Sequence, residues 1–154
     1  MQKHYYDPDI CRKCGGKCCK GMPAPYTPRD IRRRFPAATL QESVRLALET
    51  DTISIDWWEG DHSIPFVRPA TKERAGCWYD ASWGGECIYL GSNGCTLAWR
   101  DRPHYCKTVE PKGLSADGRV LCNNHLKQNN SKWYAARLWR KADVNLWQWE
   151  NERV

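Results

Sequence analysis

Four of the nine cysteines in this 154-residue chain fall within nine residues, as Cys11-Arg-Lys-Cys14-Gly-Gly-Lys-Cys18-Cys19. Such a segment has no hydrophobic period, so it reads as loop and needs something to hold it. The two-residue spacer between Cys11 and Cys14 lets two thiolates converge on one ion as the chain turns back across it. Gly15 and Gly16 permit the positive φ angles and close backbone approach of such a turn. Lys13, Lys17 and Lys20 add positive charge that favours thiolates. Metal ligation therefore explains the run better than buried or disulfide-bonded cysteines.

The rest of the chain supports that direction. An odd cysteine count does not close into disulfides, and clustered thiols are kept reduced inside cells. The opening residues, Met-Gln-Lys-His-Tyr-Tyr-Asp-Pro, lack the apolar stretch of a signal peptide. Apolar runs are only a few residues long, so no membrane helix is expected. A cytoplasmic location follows as the expectation. Nine tryptophans and seven tyrosines supply bulk for a core. With no internal repeat and no linker, one domain over residues 1–154 is expected.

The second half supplies further thiols. Cys87-Ile-Tyr-Leu-Gly-Ser-Asn-Gly-Cys95 places two cysteines across a glycine turn, Arg102-Pro103-His104-Tyr105-Cys106 follows, and Cys122 comes later. Together with Cys11, Cys14, Cys18 and Cys19, these make eight candidate ligands, enough for two four-thiolate sites. Cys77 falls outside the pattern and reads as a structural thiol. His125, three residues after Cys122, is an alternative zinc ligand that reads better as a surface residue, and His104 is a weaker one.

These residues carry a resemblance. The chain resembles the CxxCxxCC, or YkgJ-like, cysteine-cluster family, described as zinc- or iron-chelating proteins. The Cys11–Cys19 run resembles the family's first motif, with three residues rather than two between Cys14 and Cys18. The segment from Cys87 through Gly94-Cys95-Thr96 to Arg102-Pro103 and Cys106 resembles its second block. The Thr27–Ile31 stretch resembles the helix start that follows the first motif. The resemblance implies a bound metal and says little of activity. On spacing, zinc is favoured, with an iron–sulfur cluster or iron as the alternative.

Periodicity predicts a small α+β or irregular metal-stabilised domain with short helices, one small hairpin and cysteine-rich loops. Thr27-Pro28-Arg29-Asp30 has an N-cap threonine, a proline at the first helical position and an acid at the third, so a helix starts there and breaks near Phe35-Pro36. Its Arg32-Arg33-Arg34 run reads as a solvated face. A second helix is expected over about residues 37–49, with Leu40, Val44 and Leu48 on one side. Ile53, Ile55 and Trp57 alternate with polar residues, Glu59-Gly60-Asp61 turns, and Ile64 to Pro69 returns as a partner strand. Asp56, Glu59 and Asp61 read as a charged hairpin rather than a catalytic carboxylate group. A last helix is expected from near Asn130-Ser131 to about Val144 or beyond, with Tyr134, Leu138 and Ala142 on one face and Trp133, Trp139, Trp147 and Trp149 on others.

Three functions compete. A metal-stabilised structural or interaction module is favoured, with a protein partner or larger assembly docking on the Trp-rich C-terminal helix. An iron–sulfur or non-haem iron protein with a redox or modifying-enzyme role is the alternative, although no G-x-G-x-x-G, P-loop or H-E-x-x-H accompanies the cysteines. A basic, aromatic nucleic-acid-binding module, drawing on Arg32–Arg34 and residues 127–141, is the weakest reading. Charge argues against it. The formal +6 would fall to about +2 once eight thiolates held two zinc ions.

Overall fold

The computed structural model describes residues 23–58, 61–81, 85–92, 94–106, 109–114, 120–124 and 128–152. Cys11, Cys14, Cys18, Cys19, Glu59 and His125 lie outside these.

Helix α1 (Pro28–Arg34) starts where the capping signals place it. The Asp30 amide donates to Thr27 Oγ1 at 3.1 Å and the Thr27 amide donates to Asp30 Oδ2 at 2.9 Å, a reciprocal capping box. The helix ends at Phe35, whose amide donates to the Ile31 carbonyl, one residue before Pro36. Helix α2 (Leu40–Glu49) begins three residues later than expected, because Thr39 caps it through the Glu42 amide. Its Val44, Ala47 and Leu48 are buried, with Leu40 packed beside them.

Strands β1 (Ile53–Trp58) and β2 (Asp61–Pro69) form the expected hairpin, pairing Ile53 with Pro69 and Ile55 with Val67. The pair is extended on both sides. Ile55 bridges Tyr79 in parallel, with its amide donating to the Trp78 carbonyl, and the Tyr26 amide donates to the Val67 carbonyl. Two further antiparallel ladders form separate two-stranded sheets: β3 (Leu90–Gly91) with β4 (Gly94–Cys95), and β5 (Val109–Leu114) with β6 (Val120–Asn124). The α+β class is as predicted, with more pairing than the single hairpin that alternation revealed.

Alternation along β1 suggested one wet face, yet Ser54 and Asp56 are buried as fully as Ile53 and Ile55. Segment 77–80 covers that side. The Ser54 hydroxyl donates to the Cys77 carbonyl, and Arg68, level with Ser54 on β2, donates to Asp56 and Asp80. Asp56 is thus a mid-strand partner of an internal arginine, whereas Asp61, which accepts from Ser63, is an exposed charge at the turn.

Helix α3 (Gln128–Lys141) packs on β2 and β1. Over residues 133–141 its buried side chains are Ala135, Ala136 and Trp139, whose indole donates to the Tyr26 carbonyl at 2.8 Å. Tyr134 and Leu138 face outward, and the helix ends before Ala142. Trp147 and Trp149 therefore do not extend the helix. They sit in turns beyond it, where Trp149 is buried in the core and Trp147 stacks on Tyr79 and His62 at centroid distances of 5.2 and 5.1 Å. Gln41 holds this tail, its side-chain amide exchanging two 2.8 Å hydrogen bonds with the backbone of Asn145.

Candidate metal centre

Cys87 is anchored where β2 runs on past Pro69. It bridges Thr71, flanked by hydrogen bonds from the Lys72 amide to Glu86 O and from the Ile88 amide to Ala70 O. A tight turn follows, with the Leu90 amide donating to the Cys87 carbonyl at 2.9 Å. Leu90 then pairs with Cys95, so the β3–β4 ladder returns the chain and fixes the second thiol beside the first turn. Two glycines make this geometry. Gly94 has φ +98°, and a Cβ on Gly91 would come 2.8 Å from Thr96 Cγ2. Thr96 closes the turn by donating its amide and hydroxyl to the Tyr89 carbonyl.

Cys106 ends a short 3-10 turn, His104–Cys106. Asp30 ties this turn to α1, since the carboxylate oxygen that accepts the Thr27 amide also accepts the His104 amide at 2.8 Å. One buried acid thus joins the helix that follows the first cysteine run to the turn that carries Cys106.

Between these segments lies a cluster that the periodicity did not reveal. Arg34 Nη1 donates to Tyr26 Oη at 2.8 Å and to Tyr89 Oη at 3.0 Å, and Tyr89 Oη bonds Thr52 Oγ1 at 2.6 Å. The guanidinium also lies over the Phe35 and Tyr89 rings. Arg34 is therefore not part of a solvated face, although Arg32 and Arg33 are exposed. Burial, then the neighbouring Tyr89, push the Tyr26 phenol well above its ordinary pKa, and Cys106 and Cys87 act on it in the same direction.

A family model covers residues 10–136 and carries the description "CxxCxxCC: Putative zinc- or iron-chelating domain". The chain belongs to the CxxCxxCC family. No curated protein and no solved structure matches it. All nine cysteines of this CxxCxxCC chain lie inside the matched span.

The donors present fit the family's chelating description. Cys87, Cys95 and Cys106 carry thiols outside any disulfide, the soft ligands that zinc and iron–sulfur centres take. Among the described residues no three His, Cys, Asp or Glu side chains converge into a metal site. Cys122 stands opposite Pro111 in the β5–β6 ladder. Cys77 is also a free thiol, its amide donating to Arg74 O and its carbonyl accepting from Ser54. No helix among the described residues is long and apolar enough to cross a membrane.

Of the residues that shape this region, Asp30 was legible as a helix cap. Tyr26, Arg34 and Tyr89 had no local signal, because their bonds join residues 8 and 55 positions apart.

Proposed function

We propose that this CxxCxxCC chain is a metal-stabilised interaction module of the cytoplasm, folded as one domain, in which thiolates of Cys11, Cys14, Cys18, Cys19, Cys87, Cys95, Cys106 and Cys122 hold zinc. The observation that carries the reading is the family match across every cysteine, with Cys87 and Cys95 set on a glycine-shaped turn. Four-thiolate zinc sites contribute folding energy to loop-rich chains. Here they would tie together segments far apart along the chain. The partner is a protein, docking on the outward face of α3, where Tyr134 and Leu138 are exposed.

Anaerobic purification followed by elemental analysis tests the metal. A colourless protein with about two zinc ions per chain is the expected result. A brown protein with stoichiometric iron and sulfide would replace zinc by an iron–sulfur centre. Absence of any stoichiometric metal, with all thiols free, would overturn the reading.

A further inference from the structure

Beside the outward face of α3 lies a cavity of about 700 Å³, within the range of ligand clefts. Its apolar wall is Trp99, Tyr105 and Leu138, and Arg29, Arg33 and Lys141 stand around it. Leu138 is 43% exposed, and Tyr134, one helical turn before it on the same face, is equally exposed. The apolar surface therefore continues out of the cavity along the helix, as a groove rather than a closed pocket.

The charge around it is one-sided. The acid in its lining, Asp30, is already engaged by the Thr27 and His104 amides and by Arg33 at 3.6 Å. Arg33 is further held by the Arg100 carbonyl. Among the described residues, neither Arg29 nor Lys141 forms an ion pair. An aromatic-lined groove with cations on its rim complements a chain segment that has a large apolar side chain between acids.

We infer that this groove binds an acidic peptide segment of a partner protein, with one large apolar side chain seated against Trp99, Tyr105 and Leu138 and flanking carboxylates meeting Arg29 and Lys141. The inference rests on the interaction-module reading and names the surface and the partner's chemistry. The peptide's anchor supplies the apolar burial, while the rim charges select acidic neighbours and hasten association.

The test uses the full-length, metal-loaded chain against a displayed library of random dodecapeptides. Expected are selected peptides with Asp and Glu around a Phe, Trp or Leu. The double variant Arg29→Glu/Lys141→Glu should weaken them about tenfold or more, more so at low salt. Leu138→Asp should weaken them by a similar factor. All three sites are exposed, and circular dichroism verifies that each variant keeps its fold. Peptides that bind both variants as tightly as the parent would overturn this surface while leaving the interaction-module reading standing. A library that enriches nothing would overturn both. Enrichment of basic peptides, or loss on the same variants of binding to a single-stranded oligonucleotide with no peptide selected, would refute the acidic-peptide inference.

Discussion

Arg68 donates from Nε to Asp56 Oδ2 at 2.8 Å across the β1–β2 hairpin, with both side chains almost fully buried. The same guanidinium donates to the Asp80 carboxylate at 3.1 Å, to the Asp80 carbonyl at 2.9 Å and to the Pro69 carbonyl at 3.0 Å. A charge can be kept in a core only when its donors are satisfied in this way. The network also locks segment 77–80 against β1.

Removal of the arginine leaves two carboxylates buried without their cation. Arg68→Met should destabilise the fold by about 3–5 kcal/mol, although methionine fills much of the space. Urea unfolding followed by tryptophan fluorescence measures it. Arg68→Lys should recover only part of the loss, since one ammonium cannot serve two carboxylates and two carbonyls in the guanidinium's planar arrangement. Equal stability of parent and Arg68→Met would show that the network is energetically neutral.

Asp30 acts at two places with one carboxylate, so its loss should be felt at both. Asp30→Ala removes the acceptor of the Thr27 and His104 amides and should cost about 1–3 kcal/mol. Hydrogen exchange should accelerate at His104 as well as at Thr27. Faster exchange at Thr27 alone would mean that the tie to the Cys106 turn contributes nothing.

Tyr79 carries a pH dependence of stability. Burial raises its phenol from 10.0 to about 12, while its hydroxyl donates to the Leu146 carbonyl at 2.6 Å. The folded state thus prefers the protonated phenol. The resulting stabilisation is fully present below pH 10.0 and is lost as pH rises toward about 12. The urea midpoints of the parent and Tyr79→Phe should therefore be furthest apart below pH 10.0 and converge above it. A gap that stays constant to pH 12 would contradict the shift. The ring is partly exposed, so screening keeps the effect modest.

Cys87 and Cys106 should both be needed for metal, whereas Cys77 should not. Single serine replacements at Cys87 and Cys106 are each expected to lose about one zinc ion per chain and to lower the thermal midpoint. Cys77→Ser should keep the full metal content. A chelator such as EDTA should destabilise the parent more than the Cys106→Ser variant. Full zinc content in Cys106→Ser would remove that residue from the ligand set.

Much of the local structure was readable along the chain. The Thr27 cap, Pro28 and Asp30 specify where α1 begins, because each acts on backbone groups within one turn. Leu40, Val44 and Leu48 mark the buried side of α2, although Thr39 rather than residue 37 decides its start. The cysteine blocks with their glycines identified the family. The Arg32-Arg33-Arg34 run shows where such reading stops: its third member turns inward only because Tyr26 and Tyr89 are brought to it.

By itself, the sequence determined the α+β class, the start of α1, the first hairpin and the cysteine motif, since all of these rest on interactions between residues close along the chain. Only the tertiary structure decided which polar and aromatic residues are internal. Arg68 is buried because Asp56 and Asp80 converge on it, and Trp147 is stacked because a turn after α3 carries it 68 residues back to Tyr79. Those placements depend on charge pairing and packing between distant segments, which leave no period in the sequence to read.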